Sequence, residues 1–420
     1  MKRITCICFI ILSSVFTSKY AIAQDKTGLG ILIKIALERN PEIRSAHAKW
    51  ESKIAGIIPA KTPSDINLGI SFENLPDEDK DMRYRGRKVL MLSQKYPFPG
   101  KLSLKGKIAE SEGNVYKYTY EQDRWKVLTK LKKAYYEYFY LQKSIEIFRQ
   151  EEEILDYFSK VAEQSYIVGK EKHINVLKAQ VELAKVMNKI ITLEKTKITV
   201  QAEINAILDY PSGKPVGEVE EPEYNGMDFN WGRINMIVRK NNPVLKEKSE
   251  LETRSYNNLT LAKKEYMPDF GFTFKSREIS GDFTGIDMGV NLNLPVYFWK
   301  QKGIIKTKDK ELESAQAIYK NMLNNIDYKL TSIITMIDMH ERLYKLFKTN
   351  FIPRAEQARD VAEVGYKAGT VIFLDWLDTQ RSYLEFKIEY WEHFKDYLKG
   401  LADLEEIAGT DIHNIMKEGR

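Results

Sequence analysis

The apolar and polar positions of this chain fall into two periodicities, and they do so twice in the same order. Stretches with helical spacing cover 31–62, 101–168 and 171–209, with two short alternating stretches near 66–73 and 88–95 between the first and the second. The second half predicts helix 231–265, strands near 270–276 and 286–294, and helices 300–367 and 371–408. Three strands alternate cleanly: Ile66, Leu68, Ile70 and Phe72 oppose Asn67, Gly69, Ser71 and Glu73, Phe270, Phe272 and Phe274 oppose Gly271, Thr273 and Lys275, and Ile286, Met288, Val290, Leu292 and Leu294 oppose Asp287, Gly289, Asn291 and Asn293. Such a pattern fits a barrel wall between lipid and water, and equally a half-buried soluble sheet. The fourth strand is apolar on both sides from Val89 to Leu92.

The repetition extends to the residues. Segment 161–180 aligns with 361–380 through Val161/Val361, Ala162/Ala362, Glu163/Glu363, Tyr166/Tyr366, Gly169/Gly369, Leu177/Leu377 and Gln180/Gln380, and Asn40-Pro41 corresponds to Asn242-Pro243. The expected organisation is a signal peptide over 1–23, a first repeat over 24–210, an acidic Pro/Gly-rich linker over 211–230, a second repeat over 231–409 and a tail over 410–420. Each repeat runs helix, strand, loop, strand, long helix, helix. Helices of this length support one another side by side, and two shorter ones laid end to end match one long one. Leu177, Ala184, Ile191 and Ile198, seven apart, are the expected coiled-coil seam.

Composition narrows the class. The 420 residues are 43% hydrophobic and 30% charged, too polar for a polytopic helical membrane protein and too apolar for a disordered chain. Lys2 and Arg3, the apolar run Ile4 to Phe16 and Ala21-Ile22-Ala23 read as a secretory leader. Its removal takes three cations and no acid from a formal charge of +6, leaving +3, which does not suggest nucleic acid as a partner. Cys6 and Cys8, the chain's two cysteines, leave with it, so neither disulfide nor thiol chemistry is expected, and neither sits at the cleavage point to carry a lipid. No later stretch reaches the roughly 18 apolar residues of a spanning helix. If the chain crosses a membrane it does so with strands, and four strands cannot close a barrel, so other copies must complete it.

In its tandem repeat, its Asn-Pro pairs, its two hairpins and its paired Gly-containing turns, the mature chain resembles the TolC family of outer-membrane efflux ducts over essentially its whole length. The resemblance implies a mainly α fold with a small β part: a homotrimer whose twelve strands, four per chain, form one outer-membrane β-barrel continuous with a long periplasmic α-helical coiled-coil barrel. Tyr96-Pro97-Phe98-Pro99-Gly100-Lys101 is similar to the Pro-x-Pro-Gly-Lys element of the heavy-metal efflux branch. Its expected physical role is to end the strand and let Gly100 turn into the helix. The second copy, Leu294-Pro295-Val296, lacks it, and the spacing around Gly100-Lys101 is not that of a Walker loop.

The resemblance also marks candidate residues. Val168, Gly169, Lys170, Gly369 and Thr370, at the hairpin tips, would meet a periplasmic adaptor protein, which links the duct to an inner-membrane pump; the glycines also read as plain left-handed helix ends. Asp375 and Asp378 match the aspartates that line the family's tunnel mouth, and their i, i+3 spacing puts both on one helix face. Three copies would ring a narrow opening with carboxylate and favour cations; the same spacing also describes a solvated face near a helix N-terminus. The first repeat has Asn175 and Lys178 there, and Lys178 could partner an acid.

Other constellations carry no chemistry. His47, His173, His340, His393 and His413 stand singly without ligand spacing, so no metal site, cofactor or catalytic group is expected. The tyrosines from Tyr116 to Tyr140 read as helix packing. Pro76 to Asp81 reads as an exposed hairpin loop, beside which Arg83, Arg85, Arg87 and Lys88 could touch anionic lipid. The expected function is a passive exit duct for drugs, metal cations or other small molecules. The duct of a type I protein secretion system shares this architecture, and a soluble periplasmic coiled-coil scaffold is the reading from a different class.

Overall fold

The computed structural model describes residues 27–73, 87–224, 226, 230–279 and 282–411. The leader over 1–23, the loop Pro76 to Asp81, Arg83, Arg85 and His413 lie outside these residues.

Two helical hairpins and one sheet make up the molecule. The first repeat contributes α1 (Leu29–Arg39), α2 (Pro41–Ala55), α3 (Ile57–Lys61), β1 (Asn67–Glu73), β2 (Arg87–Tyr96), α4 (Lys101–Ile167) and α5 (His173–Ile207). The second contributes α6 (Trp231–Asn241), α7 (Pro243–Lys264), β3 (Asp269–Ile279), β4 (Asp282–Asn293), α8 (Phe298–Leu346), α9 (Ile352–Lys367) and α10 (Phe373–Ala408). At 67 residues α4 is about 100 Å long. Among the described residues no helix is long and apolar enough to cross a membrane.

The expected helix 31–62 is three helices, broken by chemistry that the Asn-Pro pair encodes. Asn40 Oδ1 accepts from the amides of Glu42 at 2.9 Å and Ile43 at 3.1 Å, capping α2, and its Nδ2 donates to Ile207 O at 2.8 Å, where α5 ends. Asn242 repeats the device: its Oδ1 takes the Leu245 amide at 2.8 Å and its Nδ2 donates to Ile407 O at 2.6 Å near the end of α10. One buried side chain thus starts a short helix and answers an orphan carbonyl of the helix that meets it end on. The end-to-end matching of two short helices with one long one is a hydrogen-bonded splice, made once per repeat.

The expected helix 300–367 is also interrupted. A π-helical turn at Phe347–Phe351 separates α8 from α9. Pro353 lacks the amide a regular helix needs and its ring crowds the carbonyl four residues back, so the wider turn absorbs the mismatch. Glu153 stands 200 residues earlier, and α4 runs through.

The seam expected at Leu177, Ala184, Ile191 and Ile198 does not hold this hairpin together. Those residues are exposed, and α5 buries Val176, Ala179, Val186, Ile190, Leu193 and Val200. The choice is between two apolar faces of one helix, and the exposed one has no partner among the described residues.

The four strands form one antiparallel sheet in the order β1-β2-β3-β4. Its register aligns Leu68, Leu92, Phe274 and Met288 in one row and Ile70, Leu90, Ser276 and Ile286 in the next. This face is open to its surroundings: Leu68 is 64% exposed, Met288 82% and Val290 65%. The opposite face carries Asn67, Ser93, Thr273 and Gly289 in one row and Gly69, Met91, Lys275 and Asp287 in the next. Val89, from the strand with two apolar sides, lies on this polar face between Ser71 and Arg277 and is buried, Arg277 being paired with Asp287 across the sheet. Leu90 and Leu92 join the apolar face, so all four strands share one polarity. At the far end of the sheet Arg87 lies 3.9 Å from Glu73 and Lys88 lies 4.0 Å from Glu278.

The Pro-Gly-Lys element does more than turn the chain. Gly100 takes a φ of +90°, as the turn requires. Lys101 is 2% exposed, and its Nζ donates to Asp269 Oδ1 at 2.8 Å, Met267 O at 2.9 Å and Glu265 Oε2 at 3.1 Å. Asp269 Oδ1 also accepts the Phe98 amide at 2.9 Å. One buried cation therefore locks the strand-to-helix passage of the first repeat to the helix-to-strand passage of the second.

The main core lies around the middle of α4, with Leu131, Phe139, Ile204, Leu330 and Tyr397 at its centre. The segment after α5 packs against it: Val219 is buried, Thr27 N donates to Glu218 O at 2.9 Å, and the Tyr135 and Tyr138 hydroxyls donate to the Glu220 and Gly217 carbonyls.

The double role of Asn242 predicts a graded response. Asn242→Ser keeps a cap acceptor but strands the Ile407 carbonyl, whereas Asn242→Ala loses both, so the alanine variant is destabilised more, by about 1–3 kcal/mol. Denaturant unfolding of the two variants checks the order; equal stability to the native chain in both contradicts the splice.

Candidate functional site

At the end of the molecule far from the sheet, α4 turns into α5 and α9 into α10 through the same backbone device. Gly169 and Gly369 adopt φ of +75° and +78°. The amides of Lys170 and Thr370 reach back to the carbonyls of Ser165 and Gly365 at 2.8 and 2.9 Å, and those of Gly169 and Gly369 reach Tyr166 and Tyr366 at 2.9 and 3.0 Å. This double closure is a Schellman turn, which favours glycine at the left-handed position. A Cβ on either glycine would meet nothing within 4 Å. The glycines are required by dihedral angle alone, and the space over the tips is open. Val168, Gly169, Lys170, Gly369 and Thr370 are all exposed.

An aromatic core holds the two tips together. Phe373 and Trp376 are fully buried, with Leu155, Phe158, Ala179 and Leu377 around them. The Phe158 and Trp376 rings lie 3.9 Å apart and Tyr366 stacks on Trp376 at 6.1 Å. Because Phe373, Trp376, Leu377 and Gln380 face inward, Asp375 and Asp378 face outward, and both are exposed. They line a groove of about 560 Å³ between α5 and α10, together with Lys178, Glu182, Lys185 and Arg381. The charge that bridges the groove is Arg381, paired with Glu182, which also sits 3.3 Å from Lys185. Burial works against the Glu182 charge, yet hydrogen bonds and charge from Arg381 and Lys185 outweigh it and hold its carboxyl below the ordinary range. Asn175, the first repeat's counterpart of Asp375, is buried and donates to Glu171 Oε1 at 2.7 Å. The two repeats thus differ in kind here, one offering acids to the surroundings and the other turning its amide inward.

Sequence reasoning missed Glu182 and Arg381, although Arg381 follows Asp378 at i+3 on the same face. It also missed Glu151, 4% exposed beneath the tip core, whose Oε2 accepts from Gln380 Nε2 at 2.6 Å. Burial pushes its carboxyl up to about 7, against the pull of the Gln380 hydrogen bond and the charges of Lys387 and Arg359, with Glu182 adding to the rise. The Gln180/Gln380 match in the repeat was the available signal.

Two histidines that look solitary in sequence are neighbours in space. His340 on α8 and His393 on α10 approach through their Nδ1 atoms at 3.2 Å, beside the π turn where the Phe347 ring lies 5.4 Å from His393. Burial lowers the pKa of both, so they form a neutral hydrogen-bonded pair. His47 packs on Trp50 and Tyr120, and His173 on Tyr166. Among the described residues no three metal-ligating side chains converge.

Residues 32–208 match the sequence model of the family described as outer membrane efflux protein. A 122-residue stretch is 25% identical to the cobalt-zinc-cadmium resistance protein CzcC of Cupriavidus metallidurans, covering 29% of this chain and spanning 29% of the length of that curated relative. The fold is similar to that of the outer membrane protein VceC from Vibrio cholerae, with a TM-score of 0.79 at 17% identity over 91% of this chain and 96% of the other. It is also similar to CusC, with a TM-score of 0.80 at 12% identity over 91% and 92%, and to the Campylobacter jejuni CmeC outer membrane channel, with a TM-score of 0.77 at 15% identity over 93% and 89%. At these identities the solved structures speak for the fold.

Glu151 predicts a pH dependence. A carboxyl whose folded pKa lies above its unfolded value favours the folded state most below about 4.5 and loses that contribution as pH rises through about 7, a change of about 3 kcal/mol. Glu151→Gln keeps a hydrogen-bonding partner for Gln380 without the titration. Its thermal stability relative to the native chain is expected to rise steadily from pH 5 to pH 8; a difference that does not vary with pH contradicts the buried acid.

Proposed function

We propose that this chain is a member of the outer membrane efflux protein family and one of three copies forming a passive exit duct that spans the outer membrane and extends into the periplasm. The observation that carries the reading is the sheet: one face of exposed Leu, Ile, Phe, Met and Val, one polar face, and two outer strands, β1 and β4, each with an edge unpaired among the described residues. In lipid that arrangement is stable only if the edges are closed by other strands, and the polar face then lines water. A soluble scaffold would leave the same apolar face in water. The exposed row Leu177, Ala184, Ile191 and Ile198 supplies the matching contact between copies in the helical part.

The division of labour follows from the tandem repeat, with 24–210 and 231–409 each contributing a hairpin and a helical pair, 211–230 joining them, and 1–23 acting as the export leader. At the periplasmic mouth Asp375 and Asp378 of three copies ring the opening with carboxylate, while Val168, Gly169, Lys170, Gly369 and Thr370 present open, closely approachable backbone to a periplasmic adaptor, which couples the duct to an inner-membrane pump. Arg381 and Glu182 clip α10 to α5 beside the acids and hold that mouth narrow. Its cargo class is the divalent metal cation: the partial likeness to a cobalt-zinc-cadmium resistance protein and the acidic mouth point the same way. The family and fold are those of channels, and the duct performs no chemistry of its own.

Single-channel recording in planar bilayers tests this. The native trimer is expected to conduct with a preference for cations, and Asp375→Asn with Asp378→Asn to lower that preference severalfold at unchanged trimer yield. Unchanged selectivity removes the two aspartates from the mouth, and failure of the native protein to conduct at all overturns the duct.

A further inference from the structure

Where each hairpin of the sheet passes into its long helix, the chain breaks a local rule twice. The first turns of a helix favour acids and disfavour cations, because the amide dipoles leave that end positive. Neither α4 nor α8 has an acid in its first turn. Instead α8 carries Lys300, Lys302, Lys306, Lys308 and Lys310 against Asp309 alone within its first thirteen residues, and α4 carries Lys101, Lys105 and Lys107 before its first acid, Glu110. Lys101 is accounted for by its buried bonds. Lys105 lies against the polar face of the sheet, where its charge acts on Asp269, and Lys107 lines a groove with Lys61 and Glu110. Lys300, Lys302 and Lys306 are exposed, and among the described residues none makes an ion pair.

These lysines begin where an aromatic rim ends. Past the end of β4 the chain turns at Leu294 to Val296 and exposes Phe298 at 62%, beside Tyr297 at 61% and Trp299 at 72%. Tyr266, at the end of α7, stacks on Phe298 at 6.3 Å. On α8 Lys302 follows Phe298 by four residues and Trp299 by three, and Lys306 follows by one further turn, so the cations share the face of the aromatics and lie one and two turns beyond them. The order, apolar strand, aromatic ring, lysine, is that of hydrocarbon, interface and headgroup. Each copy contributes it once, at the start of α8, so three copies would set it at three places around the barrel.

We propose that these lysines form a belt that binds the headgroups of anionic phospholipid in the periplasmic leaflet and sets the depth of the barrel in the membrane. The partner is fixed by charge and by continuity with the lipid-facing sheet: an uncompensated set of cations, raised about one headgroup's depth from the apolar edge, matches a lipid phosphate whose headgroup carries net negative charge. The inference rests on the outer-membrane placement proposed above. Each lysine facing headgroups strengthens attachment to an anionic surface on the order of fivefold at low salt, and salt screens it.

Native mass spectrometry of the detergent-extracted protein, mixed with equal phosphatidylglycerol and phosphatidylcholine, tests the belt. The native trimer is expected to retain phosphatidylglycerol severalfold over phosphatidylcholine, with the preference eroding as salt is raised before desorption. Replacing Lys300, Lys302 and Lys306 by Gln is expected to bring the ratio to about one. A native trimer without preference, or a variant that keeps it, overturns the belt while leaving the duct standing. If the variant does not assemble, the salt series on the native trimer decides: a preference indifferent to salt overturns the belt. A native protein that stays monomeric in water without detergent overturns the duct and the belt together.

Discussion

The structure depends on the unsatisfied backbone edges of a four-stranded sheet. A buried amide or carbonyl without a partner is expensive in water-free surroundings, and β1 and β4 each present a row of them beside an apolar face that no element among the described residues covers. Every larger feature follows from closing those edges. On the proposed trimer, copies assemble around an axis, their polar faces enclose water, and the helices that continue the strands run side by side below it. The proposal thus makes oligomerisation a condition of folding in place, not a later association.

The helical part answers the matching problem of building a long cylinder from a short chain. Asn40 and Asn242 splice helices end to end, each with one side chain that caps one helix and ties down the other. Lys101 fastens the two repeats where strands become helices, and the Phe373–Trp376 core fastens them again at the tips. Between these fixed points the two repeats are free to differ. The second has the π turn imposed by Pro353 and two outward acids, while the first has an unbroken α4 and an inward asparagine. The result is a molecule fastened at its sheet end and chemically asymmetric at its tips.

Much of this was legible in the sequence because its physical cause is periodic or local. Period-two alternation located the strands to within a few residues, and the repeat of Gly169 and Gly369 located both tips. What escaped depended on tertiary context. Periodicity could not say which of two apolar faces of α5 meets α4, and chose the one that is exposed. Nor could it see that Lys101 is buried, since a lysine at a helix start reads as solvated until its three acceptors arrive from residues 265–269. The pairing of His340 with His393 and of Glu151 with Gln380 joins positions far apart in the chain, and spacing carries no information about such contacts. The breaks at Asn40 and Pro353 were written in the residues themselves, and a reading by apolar period alone passed over them.

The central claim is that the sheet edges of one copy are closed by those of another. It is tested most directly by disulfide cross-linking in outer membranes, with single cysteines scanned along Leu68 to Phe72 of β1 and Ile286 to Leu292 of β4 in the same chain; the chain's own cysteines, Cys6 and Cys8, lie in the expected leader. The account predicts that a subset of pairs, recurring every second residue, yields covalent trimers that survive denaturing electrophoresis. Uniformly monomeric product at every pair, from protein that is folded and membrane-bound, would contradict it.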